Sequence, residues 1–176
     1  DLTVTGVQTC ALPIFADASD LAICYVIYLR TVAENGQVDV AFVTGTSKVI
    51  ERGASVKGKL SIPRAELCAA DALAMAMLQV RTDLDSKMGA TYYSDSMDVL
   101  NWIRNDGLSS PRYITTRRDR IRDVSSPSQW NYIGIKHNQA DIGTRPISVK
   151  DLQASMWTTG PPFLLQDPVQ PPDTKR

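Results

Sequence analysis

The stretch Ile62-Pro-Arg-Ala-Glu-Leu-Cys-Ala-Ala-Asp-Ala-Leu-Ala-Met-Ala-Met-Leu-Gln-Val80 decides how this chain is organised. Proline suits the first turn of a helix, where its missing N–H has no partner to lose. Leu67, Ala70, Leu73, Ala74, Met77 and Leu78 recur at three- and four-residue spacings and make one apolar face. The spacing predicts a core-covering helix over Pro63–Val80. Strand patterns flank it. Leu21–Arg30 (LAICYVIYLR) is apolar and rich in Ile, Val and Tyr, the composition of a strand. Glu34-Asn-Gly-Gln37 reads as a tight hairpin turn, and Val38–Thr44 as the returning strand. Gly45–Lys59 is polar and glycine-containing and reads as a loop with an irregular strand end. Beyond the helix come a strand at Thr91–Ser94, a helix at Val99–Asn105 ending near Gly107, a basic helix at Arg112–Val124, and a strand at Gln129–Ile135. With a first strand ending near Asp17, the order is β-β-β-α-β-α-α-β, followed by a further helix. Hairpin-joined strands and then a helical crossover give an α/β domain, a mixed sheet flanked by helices. Ligands of such sheets gather at strand ends, where connections diverge.

Four acids stand at the mouths of these elements. They are Asp17 in Phe15-Ala-Asp-Ala-Ser, Glu66 in the long helix, Asp95 in Tyr92-Tyr-Ser-Asp-Ser, and Asp141 in His137-Asn-Gln-Ala-Asp. Each has an ordinary reading: a turn aspartate for Asp17, a helix-dipole partner for Glu66, an N-cap for Asp95, a loop or helix-entry acid for Asp141. Together they make a D…E…D…D set able to hold two divalent cations. Mg²⁺ prefers oxygen ligands, and a pair of ions can clamp both sides of a phosphodiester. Nucleic-acid backbone cleavage is the leading reading.

The 176 residues suffice for one domain with a full core. Hydrophobic content of 43% and charged content of 22% are those of a globular chain, and no apolar run approaches the length of a membrane span. Cys10, Cys24 and Cys68 form no spaced framework, so an intracellular, reducing setting is expected. One histidine and scattered cysteines offer no zinc spacing. Net charge is zero, so binding to a polyanion needs a local patch. Arg112, Arg117, Arg118, Arg120 and Arg122 supply one on the basic helix, where the alternative is a solvated helix face.

The opening DLTVTGVQTCALPI, Asp1–Ile14, is similar to the translation of a short-read sequencing adapter. It is set aside as foreign, which would place the native start of the first strand upstream of Phe15; the alternative is a native strand and turn. Residues 158–176 are rich in proline and read as a linker or tail.

Several pieces resemble one family. They are F-x-D-A-S, Tyr28-Leu-Arg30, I-P-R-x-E-L-C-A-A, Y-Y-x-D-S-x-x-V-L-x-W-I, H-N-x-A-D, and Met156-Trp-Thr-Thr-Gly-Pro161. In this order they resemble the ribonuclease H-like domain of BEL/Pao long-terminal-repeat retrotransposon polyproteins, catalogued as Pao retrotransposon peptidase. Gln139, where the family has proline, and Thr158-Thr159 depart from the pattern, but no acid is lost. The resemblance implies a five-stranded ribonuclease H-like sheet over residues 15–157. It implies a metal-dependent endoribonuclease that cuts the RNA strand of RNA/DNA hybrids during reverse transcription. It also implies two Mg²⁺ or Mn²⁺ ions on Asp17, Glu66, Asp95 and Asp141, with Asp17 bridging both. The implied partners are the hybrid and the reverse transcriptase and integrase regions of the same polyprotein. The implied location is a cytoplasmic particle or the nucleus. His137, four residues before Asp141, is a tentative aid to proton transfer or product release; otherwise it orders the turn.

The competing reading is an inert connector between reverse transcriptase and integrase that binds hybrid without cutting. An aspartic peptidase would need an Asp-Thr-Gly or Asp-Ser-Gly loop from each of two lobes, and neither tripeptide occurs.

Overall fold

A computed structural model describes residues 7–50, 60–84, 88–105 and 111–172. Strand β1 is Val7–Ala18, β2 is Ala22–Ala33 and β3 is Val38–Val49. Helix α1 is Ile62–Asp83, β4 is Gly89–Ser94, α2 is Met97–Arg104 and α3 is Arg112–Val124. Strand β5 is Trp130–Tyr132, and α4 is Val149–Ala154. The sheet order is β3-β2-β1-β4-β5. The β1–β2 and β2–β3 pairs are antiparallel, and β1–β4 and β4–β5 are parallel. This is the mixed five-stranded sheet with flanking helices that the element order predicts.

The hairpin between β2 and β3 follows its chemistry. Gly36 has φ +83, a left-handed conformation that glycine adopts without strain. Asn35 Oδ1 accepts from Gln37 N at 2.9 Å, closing the turn. β3 runs five residues beyond Thr44, into the stretch read as a loop with an irregular strand end, because β2 offers it partners as far as Ala22. The rest of that loop, 51–59, and the expected helix end near Gly107 lie outside the described residues. β5 is shorter than expected. Its partner β4 ends at Ser94, opposite Tyr132, and only Ile133 N reaches back to Ser94 O, at 3.1 Å.

Alternation along β1 divides two cores. Leu12, Ile14 and Ala16 join α1, α2, Tyr92 and Trp130 on one side. Phe15 joins Val26, Tyr28, Tyr93, Phe163 and Leu164 on the other. Leu12 and Ile14, within the opening segment, are 0% exposed. The expected apolar face of α1 is buried except for Leu78, which is 46% exposed. Leu78 follows Met77 directly, about 100° round the helix, and so leaves the stripe.

The segment read as a tail from residue 158 is packed through Leu164. Phe163 and Leu164 complete the second core. Buried Arg30 holds the segment, donating to Leu164 O at 2.8 Å and Gln166 O at 2.6 Å. The proline count is compatible with this because a proline-rich turn needs few backbone donors. Among the described residues no helix is long and apolar enough to cross a membrane.

Candidate active site

β1 and β4 run parallel at the centre of the sheet, and their C-terminal ends carry Asp17 and Asp95. Asp17 is 6% exposed. Burial, and then the charge of Asp95, push it from an ordinary 3.8 up to about 7, with Asp141 and Glu66 adding to the rise. The other three acids therefore all act on Asp17. Asp95 is also pushed up, by burial first, while Asn138 and a hydrogen bond shared with Asp17 pull it back. Glu66 is raised by burial, with Asp95 adding to it and a hydrogen bond from Ser96 opposing. Asp17 thus keeps its proton to a higher pH than an ordinary carboxylic acid does. Four carboxylates drawn from β1, α1, the bend after β4 and the turn Gln139–Thr144 thus act on one another.

The ordinary readings of the acids fare unevenly. The cap of α2 is Ser96, whose Oγ accepts from Val99 N at 3.4 Å, so Asp95 is not the N-cap. Glu66 is the fifth helical residue of α1, and no acid lies in that helix's first turn. Its carboxylate instead bonds Ser96, the α2 cap. Asp141 does enter a helical turn, and its Oδ1 accepts from Arg145 at 2.5 Å.

Two residues the sequence reading passed over complete the constellation. Asn138 is 3% exposed, bonded to both Ala16 O and Asp95 Oδ1. It caps the turn that carries Asp141, a position asparagine favours. Arg145 follows Asp141 by four residues, the spacing of a helical ion pair. Either could have been found by these local rules. The approach of the turn to β2 is close: a Cβ at Gly143 would collide with Cys24 Sγ. Ser19 Oγ donates to Thr144 O at 2.7 Å and Ser47 Oγ to Gly143 O at 2.6 Å, holding the turn against the β2–β3 side. A cleft of about 500 Å³ opens there, bordered by Asp20, Leu21, Ser47, Val49, Arg145 and Pro146. His137 ends the preceding turn, its backbone N bonded to Gly134 O at 2.8 Å, next to Asn138.

The acid oxygens are the hard donors that Mg²⁺ or Mn²⁺ takes, and crowded like charge is what a cation would relieve. The donor set therefore fits such ions. Among the described residues, however, no three His, Cys, Asp or Glu side chains stand close enough to chelate an ion.

The basic helix departs from expectation. Asp71 on α1 is buried at the α3 contact, and Arg120 reaches its Oδ2 at 3.2 Å, Arg117 at 3.9 Å. Arg117 also lies over the Tyr113 ring, 3.7 Å from its centroid. Arg122 donates to Ile103 O at 2.8 and 2.6 Å, at the end of α2. Arg118 pairs with neighbouring Asp119 at 3.0 Å. A buried carboxylate and unfilled helix-end carbonyls need donors, so α3 turns much of its charge inward. Arg112, exposed at the start of α3, faces outward.

A mixed sheet of order β3-β2-β1-β4-β5, flanked by helices and carrying acids at the ends of its central parallel strands, defines a ribonuclease H-like domain. The chain belongs to the family described as Pao retrotransposon-like RNaseH-like domain, whose profile matches residues 2–96. No match was found among curated protein sequences. Among solved structures the chain is similar to RNase H1 from the halophilic archaeon Halobacterium salinarum, at 14% identity and TM-score 0.46, covering 84% of this chain and 100% of that one. It is similar to the N-terminal RNase H domain of a Mycobacterium tuberculosis protein, at 11% identity and TM-score 0.46, with the same coverage. It is also similar to LC11-RNase H1 in complex with RNA/DNA hybrid, at 15% identity and TM-score 0.48, covering 77% of this chain and 93% of that one.

Proposed function

We propose that this domain, part of a retrotransposon polyprotein, hydrolyses the RNA strand of RNA/DNA hybrids during reverse transcription. The observation that carries the proposal is the mutual electrostatic effect of Asp17, Glu66, Asp95 and Asp141 at the ends of β1 and β4. These four would hold two Mg²⁺ or Mn²⁺ ions. Such ions supply Lewis acidity at the phosphate and an activated water, so no covalent enzyme intermediate is needed. The protein's own part is positional. β1 and β4 set two acids side by side on rigid strands, and Ser96 orients Glu66. Asp17 must give up its proton for a cation to enter, so ion uptake would release protons below about pH 7. Discrimination for RNA would rest on 2′-hydroxyls and the shape of the hybrid, not on base edges. Arg112 is the candidate phosphate contact on α3, and His137 remains a candidate for proton transfer or product release.

The Asp141–Arg145 pair favours a second reading, in which the domain binds hybrid and connects reverse transcriptase to integrase without cutting. A guanidinium on one of the four acids is a ready substitute for a missing ion. One experiment separates the two. The chain is incubated with a hybrid labelled on each strand in turn, with Mg²⁺ or with chelator. Mg²⁺-dependent loss of the RNA strand alone is expected. Hybrid binding without cleavage, equal with Mg²⁺ and with chelator, would select the connector.

A further inference from the structure

A tie between the site's elements that adds no further charge does not increase the repulsion among the acids. Asn138 is 3% exposed and makes three hydrogen bonds. Its Nδ2 donates to Ala16 O at 3.0 Å and to Asp95 Oδ1 at 3.0 Å. Its Oδ1 accepts from Ala140 N at 3.2 Å. A carbonyl only accepts and a backbone N–H only donates, so these partners fix which end of the amide bears nitrogen. One side chain thereby joins the residue before Asp17, the carboxylate of Asp95 and the turn that carries Asp141. The backbone explains the place. The β1–β4 ladder ends at the Phe15–Tyr93 pair, and beyond it the Ala16 carbonyl is taken up by Asn138.

We propose that Asn138 is a positioning residue that ties the β1 end to Asp95 and aims that carboxylate at the cation site, a reading that rests on the four-acid site proposed above. An amide suits the task. It offers two N–H donors to two acceptors and brings no fifth negative charge. Aspartate there would keep the contact to Ala140 N but lose both donors and face Asp95 with like charge. Serine would keep a short acceptor for Ala140 N and reach neither Asp95 nor Ala16.

The test is Mn²⁺ binding by calorimetry on the whole chain without hybrid, at a temperature well below melting, together with thermal melting. The variants are Asn138→Ala, Asn138→Ser and Asp95→Asn. Loss of the partner that orients a metal-ligating group commonly costs about 10-fold or more in affinity, and both Asn138 variants are expected to lose about that. The serine variant is expected to recover part of the melting temperature lost by alanine without recovering Mn²⁺ affinity. A purely architectural residue would lower melting and leave affinity unmoved, which overturns the inference. Affinity that recovers in step with melting in the serine variant overturns it too. So does failure of both variants to fold, which makes Asn138 part of the fold alone. Asp95→Asn tells the two levels apart. If it leaves Mn²⁺ affinity unchanged, the four-acid site itself is wrong. If it weakens binding and the Asn138 variants do not, only the role of Asn138 falls.

Discussion

Two charged clusters in this domain are built on opposite rules. At the ends of β1 and β4, Asp17, Glu66, Asp95 and Asp141 crowd charge of one sign, and burial drives Asp17 up to about 7. Between α1 and α3, Asp71 is just as buried, yet Arg120 and Arg117 lie beside it and pull back the rise that burial causes. A buried acid is therefore no sign of a site by itself. The sign is a buried acid whose nearest charges are other acids. Proteins leave such an arrangement unneutralised where a cation or a proton has work to do there.

The largest effect expected of that difference is on chemistry. Asp95→Asn should abolish cleavage of the RNA strand and leave hybrid binding within a few-fold, because an amide is nearly isosteric but a poor ligand for a hard cation. Cleavage assays and hybrid titrations on the same preparation check both halves. Near-parental, Mg²⁺-dependent cleavage by the variant would erase the distinction between the clusters.

Next comes pH. The folded pKa of Asp17, about 7, stands above its unfolded value near 3.8, so the folded state holds the proton more tightly. The contribution of Asp17 to stability should be greatest below the lower value, fall as pH rises towards about 7, and level off above it. The slope from this one proton should reach at most about 1.4 kcal/mol per pH unit, measured as the difference from Asp17→Asn. Denaturant melts across that range in chelator, with Asp17→Asn as the flattened control, make the comparison. A profile that climbs with pH would mean Asp17 is stabilised as an anion.

The clusters should also answer the same substitution with opposite signs. Asp71→Asn removes the partner of two arginines and should cost about 1–2 kcal/mol, discounted because Arg120 is half exposed. Asp17→Asn should hold or raise metal-free stability at neutral pH. Equal losses in both would put the four acids in the structural class.

The smallest effect concerns α3. Arg112→Ala should weaken hybrid binding slightly and lower the slope of log affinity against log salt by about 1. Changing Arg117, Arg120 and Arg122 instead should lower melting, since those guanidiniums hold Asp71 and Ile103 O.

Much of the sheet was legible because its signals are local. The Asn35-Gly36 turn, the apolar stripe of α1 and the Ile- and Val-rich β2 depend on neighbours a few residues away, and α3 begins and ends where its pattern says. The short β5 and the buried Phe163–Leu164 turn were missed because each depends on a partner distant in the chain, whereas Leu78 was placed on the stripe although it lies about 100° round the helix from Met77. The four acids could be read as a set from their order. Their individual alternatives could not be settled there, since a cap and a site acid look the same until Ser96 is seen to hold the cap.

By itself, the sequence determined the order of elements, the crossover by α1 and the identity of the acids, because periodicity and side-chain chemistry are properties of short stretches. Only the tertiary structure decided which charges meet. It set Asp17 and Asp95 together and tied both strand ends through Asn138. It gave Asp141 to Arg145 and turned the arginines of α3 inward to Asp71 and to Ile103 O. Electrostatic effects depend on distance and burial, and those exist only once segments far apart in the chain have packed.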